Sequence, residues 1–113
     1  MKCFGFSKGE RLRKHSEFVN VTRNGQKIHT THFIVFLTES PEGKTRLGVT
    51  VSRRVGKAVK RNRVKRLLRE FFRLHKHLLP QGYDVVIIAK PQAGNLDYHQ
   101  VKKELSQVLC KSR

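Results

Sequence analysis

The residues most able to do chemistry in this chain are the cations that crowd its centre. Eight of the fourteen residues from Arg53 to Arg66 are lysine or arginine, none of the fourteen is acidic, and Arg69 and Arg73 extend the run. Like charges at this density repel one another, and a helix gains nothing from them without acidic partners. Lysine and arginine that contact phosphates release condensed counterions, so an anionic partner would offset the repulsion. We therefore predict that residues 53–73 are the centre of function and bind a polyanion.

The whole chain shares this charge. Its 113 residues contain 25 lysines and arginines against 8 aspartates and glutamates, a formal net charge of +17. Nucleic acid is the most common polyanionic partner of a basic domain. A membrane is disfavoured, because the longest apolar run, Val85 to Ala89, is far shorter than the roughly 20 residues of a spanning helix. Residues 1–10 also lack the apolar stretch of a signal peptide, so we expect a cytoplasmic protein.

Other kinds of site find little support in the sequence. Cys3 and Cys110 lie near opposite ends and lack the paired spacing of a zinc site. No cysteine or carboxylate joins the closely spaced histidines, such as His29 and His32, at ligand spacing, so we predict no metal site in the protein. The acidic residues form no cluster suited to two-metal hydrolysis, and no convincing acid/base pair stands out. We therefore predict no catalytic residue in the protein itself.

The elements that must position the basic run begin with an arm and a short helix. Basic residues dominate an N-terminal arm of about residues 1–15. Ser16 is a candidate cap for a first helix that carries Phe18, Val19 and Val21. Asn24-Gly25 would end this helix through a left-handed turn.

Two runs with strand composition follow. Thr31 to Thr38 is rich in β-branched and aromatic residues, and Thr45 to Ser52 alternates apolar with small polar residues. Residues 41–43 supply turn chemistry between them, so we expect an antiparallel hairpin. Val85 to Ala89 is apolar on both faces and is expected to be a central strand. Asp97 with Gln100 predicts a capping box for a last helix, whose apolar positions are Val101, Leu105, Val108 and Leu109.

A long central helix is predicted from about Lys57 or Ala58 to Leu79, stopped by Pro80 and Gly82. One arc is apolar and should face the core: Val64, Leu67, Leu68, Phe71, Leu74, Leu78 and Leu79. The element order is then αββαβα, which predicts one domain over residues 1–113, an α+β sandwich. Val59 falls on the polar side of this helix, and only an irregular first turn would account for it.

The opposite face of the central helix is basic. Around the cylinder it contains Lys65, Lys76, Arg69, Asn62, Arg73 and Arg66. Its only carboxylate neighbour is Glu70 near the edge, so we expect that the helix cannot neutralise this face from within. Arg61 lies towards the apolar arc and Arg63 on the far shoulder, so the pair should straddle the helix near its start and reach different strands or phosphates.

The central residues also resemble a known signature. Gly48-Val-Thr-Val-Ser52 precedes Arg53-Arg54-Val55-Gly56-Lys57-Ala58-Val59, and Lys60-Arg61-Asn62-Arg63-Val64-Lys65-Arg66-Leu67-Leu68-Arg69-Glu70 follows. This run resembles the signature of the bacterial ribonuclease P protein subunit, whose centre is the Arg-Asn-Arg element. The resemblance extends over essentially the whole chain, through Ile88-Ala89-Lys90 to the final helix. A match over some twenty consecutive positions is far more specific than three residues alone.

The resemblance implies a role for the protein beside a catalytic RNA. In that family the RNA subunit removes the 5′ leader of precursor tRNA with Mg²⁺, held mainly by RNA, and the protein binds the leader and the catalytic RNA. It also implies a mixed sheet with a left-handed βαβ crossover, which the general right-handed rule would not suggest. We expect a protein that is monomeric apart from RNA and needs no cofactor alone. The residues implied to bind the catalytic RNA are Arg61, Asn62, Arg63, Lys65, Arg66, Arg69 and Arg73.

A second surface is implied for the single-stranded leader. The matching positions that would line or rim a cleft for it are Phe18, Phe36, Ser52, Arg53, Arg54, Lys57 and Lys90. Unpaired bases stack on aromatic faces for about 1–3 kcal/mol each, independent of sequence. Gly48, Thr50 and Ser52 would form a low floor that lets a backbone approach. Many family members have a second aromatic where this chain has Thr22, so stacking should depend more on Phe36, although either phenylalanine could also be a core residue.

Three other functions are compatible with the charge to different degrees. A structural RNA-binding protein of ribosomal type would share the charge and the mixed fold, and only the longer signature with an aromatic cleft argues against it. An autonomous nuclease lacks the acidic cluster it would need. DNA binding is weaker still, because no helix-turn-helix spacing precedes the basic helix.

Overall fold

The computed structural model describes residues 12, 15–41, 43–75 and 81–109. Its helices and strands, in chain order, are α1 (His15–Asn24), β1 (Gln26–His29), β2 (Phe33–Glu39), β3 (Arg46–Val51), α2 (Ala58–His75), β4 (Tyr83–Ala89) and α3 (Tyr98–Leu109). Two short 3-10 helices, Arg53–Val55 and Pro91–Asn95, precede α2 and α3. The predicted α+β class is confirmed, with one strand more than expected, since β1 was not predicted.

The sheet is mixed and its order is β1-β2-β4-β3. Strand β2 pairs antiparallel with both β1 and β4, whereas β3 pairs parallel with β4. The sequence predicted an antiparallel hairpin between the segments that form β2 and β3. That prediction is wrong, because β4 lies between these two strands. Strand β4 is apolar on both faces and gains most from the central position, where both of its edges are paired. The βαβ unit whose left-handed crossover the resemblance implies consists of β3, α2 and β4.

The sheet separates two apolar clusters. Helices α2 and α3 cover one face, where Val85 and Ile87 of β4 join the larger cluster. Helix α1 covers part of the other face, where Val21 and Phe36 pack with Val86 and Leu12. Successive residues of β4 thus enter opposite clusters, which confirms that this strand is central and buried on both faces.

Helix α2 begins at Ala58, as predicted. Val64, Leu68 and Phe71 of the predicted arc are buried, and so is Phe72, which the arc did not include. The buried stripe of α2 is wider than the predicted arc because α2 packs on α3 as well as on the sheet. Lys76, Leu78, Leu79 and Pro80 lie outside the described residues, so the predicted end of this helix has no structural counterpart here.

Both shorter helices show how local chemistry sets their ends. The predicted capping box of α3 is confirmed: the backbone N–H of Gln100 donates to Asp97 Oδ1 and that of Asp97 to Gln100 Oε1, both at 2.9 Å. Helix α1 ends at Asn24 as predicted, but it includes Ser16 instead of starting after it. Gly25 does not have the predicted left-handed backbone. A Cβ there would lie 2.5 Å from the carbonyl oxygen of Val21, which explains why a glycine is needed.

Candidate nucleic-acid interface

The basic face of α2 points away from the sheet. Asn62 and Arg66 are exposed, and Lys65, Arg69 and Arg73 are half-buried. These residues therefore share one surface, as the helical projection predicted. Residues beyond His75, including Lys76, are not part of the described helix.

The expectation that α2 cannot neutralise this face from within is wrong at one position. Arg73 Nη2 lies 2.6 Å from Glu70 Oε2, and Arg73 Nε donates to Glu70 Oε1 at 3.1 Å. The hydrogen bond to Glu70 raises the pKa of Arg73 above its usual value. Two planar groups one helical turn apart can form this pair, so the excess charge of α2 lies closer to its N-terminal end.

The two arginines of the Arg-Asn-Arg element contact different neighbours. Arg61 Nε donates to the carbonyl oxygen of Gly56 at 3.2 Å, and Arg63 Nη1 donates to that of Gly94 at 3.4 Å. Each contact uses one of the five N–H donors of a guanidinium group. Arg61 thus contacts the turn before α2 and Arg63 contacts the 3-10 helix at Pro91–Asn95, and whether the pair reaches different strands or phosphates of a partner stays a prediction.

A surface pocket of about 740 Å³ lies between these two segments. Its lining includes Lys57, Val59, Lys60 and Arg63 on one side and Gly94 and Asn95 on the other. Val59 is 83% exposed and is the only large apolar side chain of the described ranges that is classed as exposed. Its place on the polar side of α2 is therefore real and does not come from an irregular turn. In the sequence, the only sign of this pocket was a single valine among cations. That pattern could not be interpreted until the structure showed Val59 in the pocket lining.

The aromatic cleft predicted on the other side of the sheet is partly closed. The Phe18 ring lies over Gly48 so closely that a Cβ there would be 2.7 Å from Phe18 Cε2. Phe18 is half-buried, but Phe36 is only 8% exposed and packs with Val21 and Val86. Lys27 Nζ lies 5.9 Å from the centroid of the Phe36 ring. Phe18, not Phe36, therefore has the more accessible ring.

The residues predicted to rim this cleft have different surroundings in the structure. Arg53 and Arg54 are exposed, and the exposed Ser52 accepts a hydrogen bond from the Arg54 N–H at 3.3 Å. Lys90 Nζ donates to the carbonyl oxygen of Thr30 at 2.6 Å. Lys57 instead lines the pocket beside Val59. At the position of the missing family aromatic, Thr22 Oγ1 donates to the carbonyl oxygen of Val19 within α1.

Two sets of ion pairs and hydrogen bonds around carboxylates, which the sequence did not reveal, join elements of the fold. Asp84, only 1% exposed, accepts two 2.8 Å hydrogen bonds from Arg46, which also contacts Glu17 of α1 at 3.0 Å. Glu104 of α3 accepts from the Thr30 hydroxyl, from the His32 backbone N–H at 2.6 Å and from His32 Nδ1 at 2.7 Å.

The environment of Glu104 sets its ionisation. Burial alone would raise the pKa of its carboxyl, but the hydrogen bonds from Thr30 and His32 outweigh burial and hold that pKa below its usual value. Glu104 is therefore ionised at neutral pH and ties α3 to the loop between β1 and β2. Across the described ranges, no three His, Cys, Asp or Glu side chains form a group that could hold a metal ion. Nor is any described helix long and apolar enough to cross a membrane.

Comparison with known proteins identifies relatives over nearly the whole length. A family model described as Ribonuclease P matches residues 6–113. The Ribonuclease P protein component of Geotalea uraniireducens is 50% identical over 109 residues, covering 96% of each chain. That of Syntrophus aciditrophicus is 41% identical over 111 residues, covering 98% of this chain and 93% of the relative.

Solved structures agree with the sequence relatives. The RNase P protein of Staphylococcus aureus superposes with a TM-score of 0.82 at 31% identity, covering 89% of this chain and 93% of that one. The protein from Thermotoga maritima gives 0.81 at 31% identity, covering 92% and 98%. The mixed sheet and the three helices are therefore those of the bacterial proteins it resembles.

Proposed function

The chain belongs to the ribonuclease P protein family, and from this premise we propose that it is the protein subunit of a bacterial ribonuclease P, which removes the 5′ leader of precursor tRNA. In this proposal the RNA subunit performs the cleavage with Mg²⁺ that is held mainly by RNA, and the protein binds that RNA and the leader in the cytoplasm. The observation that carries the proposal is the Arg61-Asn62-Arg63 element at the start of α2, whose first turn contains no acidic residue.

The catalytic RNA is proposed to meet the N-terminal half and outer face of α2. Arg61 and Arg63 each use one N–H donor on a different backbone carbonyl, so each has donors left for a phosphate group of its own. The exposed Arg66 and half-buried Lys65 and Arg69 continue the surface along the helix. A helix whose backbone holds cations at fixed spacing fits a folded RNA, which is recognised largely by its shape and its phosphates.

The leader is proposed to follow the face of the sheet that α1 leaves partly open. Phe18 offers its ring there, and the glycine beneath it keeps the floor low. Ile34 and Ile88 are half-buried on the same face and add apolar surface. Arg53, Arg54 and Lys90 are proposed to pair with the phosphates, while the apolar floor tolerates any base sequence.

Reconstitution tests this function directly. The protein is added to a bacterial catalytic RNA at a low magnesium concentration, where the RNA alone cleaves poorly, and release of the 5′ leader from precursor tRNA is followed. We expect the protein to restore cleavage and to leave the precursor intact when the RNA subunit is omitted. Cleavage by the protein alone would overturn the assignment of the chemistry to RNA.

A structural RNA-binding protein would give a different result. It would bind the catalytic RNA through charge alone, with no gain in leader removal and no preference for precursor over mature tRNA. The reconstitution assay therefore includes binding to both forms of tRNA in the assembled complex. Binding without any gain in cleavage would contradict the proposed role.

A further inference from the structure

The pocket at the start of α2 combines features that a purely electrostatic surface does not need. Lys57, Lys60 and Arg63 provide three cations around it, yet one wall is the exposed isopropyl group of Val59. Asn95 adds a side-chain amide, and the backbone of Gly94 adds a surface without a side chain. Exposed cations on a convex helix would suffice for phosphate contacts, whereas a concave site with an apolar wall can also hold an apolar group of the partner.

One wall of the pocket is held in place before any partner binds. The aliphatic stem of Lys60 lies against two glycines: a Cβ at Gly56 would be 2.7 Å from Lys60 Cδ, and one at Gly94 would be 2.6 Å from it. Lys60 Nζ reaches Asn95 Oδ1 at 3.3 Å. Any larger residue at Gly94 would also approach the carbonyl oxygen of Val55 to 2.9 Å. A side chain ordered in this way loses little entropy when a ligand arrives.

These features fit an unstacked nucleotide. A base has two flat apolar faces, one of which can cover Val59, and polar edges that an amide such as Asn95 can hydrogen-bond. Its phosphate suits Lys57 and Arg63 at the rim. The volume of about 740 Å³ lies within the range of small-ligand pockets. A nucleotide inside a duplex offers neither face, because both are stacked, so the occupant must be unpaired.

We infer that this pocket binds one unpaired nucleotide of the catalytic RNA, an inference that rests on the proposed function. The catalytic RNA is favoured over the leader by position. The pocket opens on the start of α2, beside the basic face and on the side of the sheet that α2 covers. The Phe18 and Phe36 cluster lies on the opposite face of the sheet.

A photo-crosslinking experiment tests the identity of the occupant. A benzophenone side chain is placed at position 59, and as a control at the exposed neighbouring position 58, which is not part of the lining. Each protein is assembled with catalytic RNA and precursor tRNA and then irradiated. We expect the side chain at position 59 to attach to one unpaired nucleotide of the catalytic RNA. Attachment to the leader, attachment to paired nucleotides, or none above the control would overturn the inference.

A binding experiment tests the role of the apolar wall. Val59→Ser should weaken binding to the catalytic RNA about ten-fold, because the two methyl groups that the base would cover are removed, while the salt dependence of binding stays unchanged. Ala58→Ser is the matched control and should bind as the unmodified protein does. Removing the base of the crosslinked nucleotide should abolish the difference between Val59→Ser and the unmodified protein. Independent losses from the two changes would overturn the inference.

The two proposals fail in different ways. If the unmodified protein restores leader cleavage but Val59→Ser binds equally well, the nucleotide pocket is wrong and the proposed function stands. If the unmodified protein neither binds the catalytic RNA nor restores cleavage, the proposed function is overturned and the pocket inference with it.

Discussion

At the scale of single residues, burial decides which of the two phenylalanines can serve a mobile strand. Phe36 is only 8% exposed, so a base could stack on it only after neighbouring side chains moved. Phe18 is half-buried on α1, and its inner side is occupied by the sheet at Gly48. The part of the ring that is not buried is the surface on which a base could stack. The sequence analysis expected stacking to depend more on Phe36. Its burial instead suits it to packing in the apolar cluster beneath the proposed leader surface.

Truncation of each ring should therefore give a different result. Phe18→Ala should lower the affinity of the assembled enzyme for precursor tRNA about five-fold or more and leave mature tRNA binding unchanged, since one base loses its stacking partner. Phe36→Ala should instead lower the free energy of unfolding by about 3–5 kcal/mol. Binding titrations with both tRNAs, and denaturant unfolding of both variants, measure these effects.

The half-buried Val19, beside Phe18 on α1, provides the control for this comparison. Val19→Ala should change the affinity for neither tRNA. If Phe18→Ala weakened binding to precursor and mature tRNA alike, Phe18 would not contact the leader.

At the scale of elements, α3 is joined to the sheet by Glu104 as well as by its apolar side. The carboxylate gathers Thr30 and both the backbone and the ring of His32, which lie between β1 and β2. The same segment accepts Lys90 Nζ at the Thr30 carbonyl oxygen, next to the end of β4. One carboxylate therefore organises the end of the sheet where the leader surface is proposed.

The lowered pKa of Glu104 predicts a particular dependence of stability on pH. The folded state favours the ionised carboxylate, so its contribution is complete above the ordinary pKa of 4.5 and is lost as the pH falls through the lower folded pKa. Glu104→Gln should lower the free energy of unfolding by about 1–2 kcal/mol at neutral pH. The difference from the unmodified protein should shrink below pH 4.5, as measured by denaturant unfolding at each pH.

Glu39 is a matched control for this experiment, because it is an exposed carboxylate at the end of β2. Glu39→Gln should change stability by less than about 0.5 kcal/mol at any pH. A loss in Glu104→Gln that stayed constant down to pH 3 would show that its ionisation does not contribute.

Local patterns predicted the elements better than their pairing. The start of α2 at Ala58 and the capping box of α3 follow from neighbouring residues, and both were predictable from them. Pairing is a competition between distant segments, and nearness in sequence favoured a hairpin. The continuous apolar run of β4 instead takes the centre, with β3 parallel to it at the register Arg46↔Asp84. No turn signal encodes that register.

For the candidate site too, local features were predictable and contacts between distant residues were not. The cations of α2 could be placed on one face by their period alone, but their contacts could not. The pair of Arg73 with Glu70 depends on rotamers, and the pocket around Val59 depends on a 3-10 helix more than thirty positions away in sequence. Strand β1 escaped prediction because only Ile28 of its four residues is apolar, as suits an exposed edge.

At the scale of the whole molecule, the net charge of +17 acts in two ways that can be separated. It attracts any RNA over a distance set by the salt concentration, and contacting side chains also replace counterions at individual phosphates. The first effect depends on the total charge and the second on position. Two pairs of cations with the same total charge but different positions distinguish them: Arg61 and Arg63 on α2, and the exposed Lys102 and Lys103 on α3.

Replacing Arg61 and Arg63 together by glutamine should weaken binding to the catalytic RNA and flatten the plot of log affinity against log salt by about 1.5–2 units, one phosphate contact being lost at each position. Replacing Lys102 and Lys103 by glutamine removes the same charge but should leave the slope nearly unchanged, because α3 lies outside the proposed interface. Filter binding over a range of salt concentrations measures both slopes. Equal slopes in the two double variants would mean that the total charge, and not the Arg61-Asn62-Arg63 element, determines assembly with the RNA.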